Sequence, residues 1–248
     1  MTNRSPRVAL VILAFDNVEY FVRAAESLLH NTDYNNFGVL AVHNPCSSPD
    51  INAKIKESMD ILFANFDNFT YFLNEENLYH GKGLTKGIDI LDEKTKYVVL
   101  LNDDVFVPGN QLNWLTKMVE FMEENPNAAS VTPALYSMDE KIYWIGKQNP
   151  ENPHHDFLHF PKGDPRLPKS PLKTSYNNFA ICLTRHSLLK EFSLADGPPH
   201  YGSDSGFANR IKDKYPELEH WVMPQIKLYH ENIYQLRESY KKDPVVDG

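Results

Sequence analysis

The stretch that most constrains this chain is residues 97–109, YVVLLNDDVFVPG. Tyr97 to Leu101 form an unbroken apolar run, too short for a helix and rich in β-branched side chains. Such a run predicts a strand buried on both faces, at the centre of a parallel sheet. One residue later the character changes. Asn102, Asp103 and Asp104 put two adjacent carboxylates at the carboxyl end of that strand, where open α/β sheets receive their ligands. Neighbouring like charges raise each other's cost of ionisation, which calls for a cation or a polyol partner. Hard oxygen donors favour magnesium or manganese, and such an ion would in turn hold a diphosphate. Asn-Asp-Asp is equally ordinary turn chemistry, because these short side chains bond their own backbone. The remainder of the chain has to separate the two.

With 248 residues the chain can bury a substantial core, as one large domain or two tightly joined halves. A net charge of -8 and a pI near 5.7 lack the basic patches that nucleic acid or an anionic membrane attracts. No nucleic-acid partner is expected, and peripheral membrane contact stays open. The longest apolar run, Val8 to Phe15, is far below the roughly 20 residues that span a bilayer, and no charged region with a cleavage site precedes it. A soluble, cytoplasmic protein without a signal peptide or transmembrane segment is expected. Cys46 and Cys182 lie far apart, which gives neither a disulfide framework nor zinc spacing and suits a reducing compartment. No feature fixes the oligomeric state.

In chain order, Val8 to Ala14 reads as a second buried strand, with Asp16 or Asn17 capping a helix in which Val18, Phe21, Val22, Ala25, Leu28 and Leu29 recur at helical spacing. Phe37 to Val42 predicts a third strand, Pro49 or Asp50 opens a helix, and Phe69 to Leu73 predicts a short strand. Strands that alternate with helices signal βαβ units and a parallel sheet. In YHGKGLTKGIDIL, Gly81, Gly83 and Gly87 miss both the Walker and the dinucleotide spacing, so a helix start packed close to a strand is favoured over a phosphate loop. Lys82 and Lys86 remain candidates to face a phosphate. An amphipathic helix carries Leu112, Leu115, Met118, Val119 and Met122; Ala128 to Thr132, Lys141 to Ile145 and Asn177 to Leu183 read as strands, and Arg185 to Phe192 as a short helix. Residues 149–171 hold six prolines in a long irregular stretch, expected to be a lid or a disordered segment. Its His154, His155 and His159 lack a Cys or a paired carboxylate to complete a coordination set, so a solvent-exposed loop is favoured over a metal site. Ser203 or Asp204 opens a helix, Trp221 to Met223 and Ile226 to Tyr229 are extended pieces that deliver His230, and a polar helix is expected over residues 231–241.

Taken together, five segments in order resemble the family 2 glycosyltransferases of the GT-A fold, over nearly the whole length. They are VALVILAFDNVEYFVRAAESLL, ENLYHGKGLTKGI, LNDDVFVPG, SDSGFANR and the final His230. LNDDVFVPG, similar to the metal-binding DXD-type segment, is the most specific. The resemblance implies an α/β fold: a Rossmann-like, mostly parallel central sheet flanked by helices, with a smaller antiparallel sheet on the acceptor side. It further implies a single domain over 1–248, with a nucleotide-sugar half (1–107), an acceptor half (108–230) that contains the 149–171 loop, and a C-terminal helix and tail (231–248).

Residue by residue, the resemblance implies that Asp104 and His230 bind Mn2+ or Mg2+, that Asp103 contacts the ribose or the metal shell, and that Asp204 is the general base. Phe15 and Asp16 would border the nucleobase, and Asn44, Asn77 and Lys82 complete the expected nucleotide site. The implied reaction is inverting transfer of a sugar from a nucleoside diphosphate donor to a glycan or glycoconjugate hydroxyl. At the N-terminus of its helix, Asp204 is expected to stay ionised because the helix dipole favours its charge. The family's Asp-Asn-Gly-Ser appears here as His43, Asn44, Pro45 and Cys46, without the usual base-recognising carboxylate, and Ser203 and Gly206 stand where the family has Glu and Asp. A non-catalytic nucleotide-sugar-binding protein and a sugar-phosphate nucleotidyltransferase are the rival expectations, the latter weakened because Val8 to Asn17 carries no Lys or Arg.

Overall fold

The computed structural model describes residues 7–148, 156–196 and 203–231. Strands β1 (Val8–Ala14), β2 (Phe37–His43), β3 (Phe69–Leu73) and β4 (Tyr97–Asn102) alternate with helices α1 (Val18–His30), α2 (Pro49–Leu62) and α3 (Tyr79–Asp89). The four strands pair in parallel in the order β3-β2-β1-β4. Every residue of β1 is buried because helices cover both faces of the sheet. Val8, Leu10, Ile12 and Ala14 pack with Phe21 and Leu28 of α1 and Ile55 of α2, whereas Ala9, Val11 and Leu13 pack with Leu84 and Ile88 of α3. Asn17 is the cap of α1, its side chain accepting the Tyr20 N–H at 3.1 Å. Because β1 lies between β2 and β4, the strand order reverses there, and the carboxyl ends of β1 and β4 are where open α/β sheets receive their ligands.

The second half adds β5 (Val105–Phe106), α4 (Trp114–Glu124), β6 (Ala128–Tyr136), β7 (Ile142–Trp144), β8 (Leu172–Thr174), β9 (Ile181–Arg185), α5 (His186–Glu191), a 3-10 turn (Leu194–Asp196), α6 (Ser203–Lys214) and β10 (Glu219–His230). The sheet continues β4-β9-β6-β10-β5, with β7 on β6 and β8 on β10; these pairings are antiparallel except that of β6 with β10, which is parallel, and all join the first four strands in a single ten-stranded sheet.

Several expectations change. The second edge of β4 pairs antiparallel with β9, so β4 is the seam between the all-parallel and the mixed portions and not the centre of a parallel sheet. Burial on both faces reports the covering helices and says nothing of a neighbour's direction. The strand expected from Asn177 starts only at Ile181, because Asn177 donates to Ser130 Oγ (2.8 Å) and Asn178 accepts the Ala180 N–H (2.8 Å) in a turn. The two pieces expected near the end form one strand, β10, whose register shifts between Met223 and Lys227; that irregularity accommodates Pro224. β8 was not anticipated inside its proline-rich surroundings.

Of the expected lid, residues 149–155, including His154 and His155, lie outside the described residues. The following segment is fastened to β7: Ile142 N–H donates to the Phe160 carbonyl (2.8 Å), and Phe157, Phe160 and Leu167 pack with Ile142 and Tyr136. His159 is exposed. The helix expected over 231–241 lies outside the described residues beyond Glu231. Among the described residues, no helix is long and apolar enough to cross a membrane.

The glycines of α3 serve close packing. A Cβ on Gly81 would stand 2.4 Å from the Leu194 carbonyl oxygen, and one on Gly87 2.3 Å from Val42 Cγ2. The helix therefore sits hard against β2 on one side and the 3-10 turn before α6 on the other.

Candidate active site

Two residues after β4 ends, β5 pairs antiparallel with the end of β10, His230 opposite Val105 and Tyr229 opposite Phe106. That register carries an imidazole from far along the chain to the acidic pair. Nε2 of His230 lies 3.1 Å from Oδ1 of Asp104, and the two residues are only 4% and 6% exposed. The backbone is held on both sides of this contact. Glu231 N–H donates to the Asp104 carbonyl (3.0 Å), and the Glu231 carboxylate accepts from Tyr20 (3.3 Å) and Arg23 (3.0 Å) of α1.

A buried ion pair would account for the 3.1 Å contact alone. Yet neither ring nitrogen of His230 makes a hydrogen bond among the described residues. An orphaned buried polar atom costs about 1–3 kcal/mol, which a ligand would recover. The separation also suits neighbouring donors on an octahedral ion, which stand about 3 Å apart when each bond is about 2.0–2.1 Å. Among the described residues no three His, Cys, Asp or Glu side chains gather into a metal-holding group. Among the described residues the protein donors at this corner are Asp104 and His230, and other positions would fall to water and phosphate oxygens, as is usual for magnesium-type ions on nucleotides. The residues present fit such an ion.

Asp103 is buried, and its Oδ2 accepts the Phe15 N–H at 3.3 Å, which draws the β1–α1 loop with Phe15 and Asp16 against the acidic pair. These three expected residues are together. Asn77 and Asn44 instead fasten the scaffold beside them. Asn77 Oδ1 accepts the Tyr79 N–H (2.9 Å) in a turn that leaves Tyr79 at φ +59°. Asn44 donates to the Tyr79 carbonyl (2.8 Å) and accepts from Asn74 (2.8 Å), so its amide locks the end of β2 to the start of α3. Lys82 is exposed on α3, between the inward-facing Gly81 and Gly83. His43, at the end of β2, is buried with Nδ1 2.9 Å from the Tyr71 hydroxyl, and burial lowers its proton affinity.

Asp204 lies in the first turn of α6, its Oδ1 accepting the Ser205 N–H at 2.7 Å. Two features relate it to the acidic pair. In the first, His80 reaches both Asn102, the residue before the acidic pair (Nε2 to Oδ1, 3.1 Å), and Ser203, the residue before Asp204 (Nδ1 to Oγ, 3.3 Å). In the second, the Tyr143 ring packs 4.4 Å from the His230 ring, centroid to centroid. Burial pushes the Tyr143 phenol up to about 12, and the charges of Asp104 and Asp204 both add to that rise. Both carboxylates thus act on the same phenol. Tyr176 is likewise pushed up to about 12, by burial and then by Asp204.

Dipole stabilisation was expected to govern Asp204, and here the balance differs. Burial raises its pKa above the ordinary carboxylate value, outweighing the hydrogen bond from the Ser205 N–H. A carboxylate shifted in this direction is a stronger base. His80, Tyr143 and Tyr176 were not among the residues singled out from sequence. For Tyr143 a signal existed: in β7, Ile142 and Trp144 are buried, so strand alternation puts the intervening Tyr143 on the opposite face.

Residues 9–192 match the model of glycosyl transferase family 2. The fold is similar to that of the crystal structure of GalNAc-T7 with UDP, GalNAc and Mn2+, with a TM-score of 0.68 and 11% sequence identity over 90% of this chain. That match takes in 43% of the GalNAc-T7 chain, so the present chain spans less than half its length. No curated protein sequence matches.

Proposed function

Because this chain belongs to glycosyl transferase family 2 and has the GT-A fold, we propose that it moves a sugar from a nucleoside diphosphate to a hydroxyl of a glycan or glycoconjugate, with inversion. The observation that carries this reading is the buried 3.1 Å approach of His230 Nε2 to Asp104 Oδ1 beyond the end of β4. In this reading Asp104 and His230 hold Mn2+ or Mg2+. When bound, the ion supplies Lewis-acid stabilisation of the negative charge left on the diphosphate. Asp103 and the Phe15–Asp16 loop border the ribose and base. Asp204 takes the proton of the acceptor hydroxyl as its oxygen bonds to the anomeric carbon and the bond from that carbon to the diphosphate oxygen breaks, a contribution of about 10² to 10⁴ in rate. Attack from the face opposite the leaving group inverts the centre. The UDP and Mn2+ in the GalNAc-T7 crystal support this donor class.

The test is a panel of nucleoside diphosphate sugars offered with Mn2+. One donor should raise the melting temperature selectively and release free sugar slowly to water. Selective stabilisation without any release would instead favour a non-catalytic binder, a reading motivated by Ser203 and Gly206 in place of acidic residues. No stabilisation by any donor would overturn the proposal.

A further inference from the structure

His80 touches both halves of the candidate site. It stands in the first turn of α3, and its two ring nitrogens face different elements: Nε2 the end of β4 at Asn102, Nδ1 the start of α6 at Ser203. The packing around it leaves little freedom. A Cβ on the adjacent Gly81 would meet the Leu194 carbonyl at 2.4 Å and Ser203 Cβ at 3.5 Å, so α3 is already at contact distance from the segment that leads into α6. On the other side, Asn102 N–H donates to the Ala180 carbonyl (2.9 Å), which fixes the strand end that His80 grips.

The hydrogen-bond chemistry is directional. Burial lowers the proton affinity of His80, and a neutral imidazole has one donor and one acceptor. Asn102 Oδ1 accepts only, so Nε2–H donates to it, and Nδ1 is left to accept the Ser203 hydroxyl proton. Both contacts are satisfied by a single tautomer. Phe at this position would fill the space with neither contact, and Gln offers a donor and an acceptor on a flexible stem.

We propose that His80 is a positioning residue that sets the distance between Asp204 and the Asp104–His230 corner by bridging Asn102 to Ser203. The proposal rests on the transferase reading above, in which Asp204 must reach an acceptor oxygen while the diphosphate is held at that corner. Its consequence is selective: the bridge governs the chemical step and leaves nucleotide binding alone. A displacement of about 1 Å in a reacting group can cost about a hundredfold in rate.

The experiment compares wild type with His80→Phe, His80→Gln, Ser203→Ala and the double variant His80→Phe/Ser203→Ala. It measures kcat, affinity for UDP with Mn2+, and melting temperature. His80→Phe and Ser203→Ala should each lower kcat about ten- to a hundredfold, the double variant should be no slower than His80→Phe, and His80→Gln should recover part of the loss. UDP–Mn2+ affinity should stay within about twofold throughout, since a shared contact shows up as non-additivity in the chemical step alone. Unchanged kcat in His80→Phe, additive losses, or parallel losses of kcat and UDP affinity would each overturn the bridge.

A wild type that transfers from no donor would sink the transferase reading instead. The bridge is then judged on Mn2+-induced broadening of the Ser205 amide signal with UDP present. It should weaken in His80→Phe; broadening that is unchanged there, or missing in wild type, overturns the bridge.

Discussion

Replacing Asp204 by Asn is the sharpest perturbation available, because the amide nearly matches the carboxylate in volume and differs in charge and basicity. The residue sits in the first turn of α6, where burial raises its pKa. Removing a general base costs about 10² to 10⁴ in rate, equivalent to about 2.7–5.5 kcal/mol of barrier. Stability should move the other way. A carboxyl whose folded pKa lies above its unfolded value favours the fold while protonated, and that contribution is lost as pH rises through the folded pKa. At neutral pH the ionised group is therefore a burden that Asn removes, so the melting temperature should hold or rise. The pH profile supplies a second readout. Wild-type kcat should fall on the acid side, at a pH above the ordinary carboxylate range, and this limb should vanish in Asp204→Asn. The assay is kcat against pH for both proteins with the donor identified by the panel, alongside thermal melts. Turnover above a few per cent of wild type, or an acid limb retained in the variant, would refute the role and leave Asp204 as a residue that only orders the start of its helix.

Two further predictions concern the scaffold. His220 is buried with Nδ1 2.7 Å from Ser130 Oγ, and burial lowers its pKa to about 4; the unfolded chain binds that proton near about 6.5, so stability present above that pH is lost as pH falls toward 4, by up to about 3 kcal/mol. Thermal melts from pH 7.5 to pH 4 should show a shallower decline in His220→Gln, and parallel curves would contradict this. Gly87→Ala brings a Cβ to 2.3 Å from Val42 Cγ2 and 3.3 Å from Leu40 Cδ2; overpacking of about 1–3 kcal/mol exceeds the gain in helix propensity of about 1 kcal/mol, so the melting temperature should drop, whereas a rise would show that α3 can step away from β2.

What could be read from sequence follows from which forces are local. Val8 to Ala14 and Phe69 to Leu73 emerged with the bounds they have, because a short apolar run bounded by turn residues is a local signal. The parallel order of the first four strands followed from their alternation with helices. Pairing direction in the second half did not follow, since β9 lies beside β4 through contacts between residues some eighty positions apart, such as Leu101 and Ile181. The acidic pair stood out as a sudden polar end on a buried strand. His230 was placed beside it only through resemblance, because the register that unites them involves a two-residue strand, β5, too short to leave a pattern. His80 was hidden for a related reason: its contacts to Asn102 and Ser203 span 22 and 123 residues, and the glycines around it drew attention to phosphate loops. Asn44 looked like a nucleotide contact, yet both ends of its amide hold the backbone and a neighbouring amide in place.

In the proposed function, Asp104 and His230, 3.1 Å apart, would form a corner that works through a divalent ion. Titration of nucleoside diphosphates, UDP first, into the intact protein with and without Mn2+ tests it directly, with Asp104→Ala and His230→Ala alongside. Wild type should lose at least about tenfold in affinity, about 1.4 kcal/mol, when Mn2+ is withdrawn, and both variants should bind equally weakly with or without the ion. Equal affinity in wild type under the two conditions, for every nucleoside diphosphate tried, would contradict it.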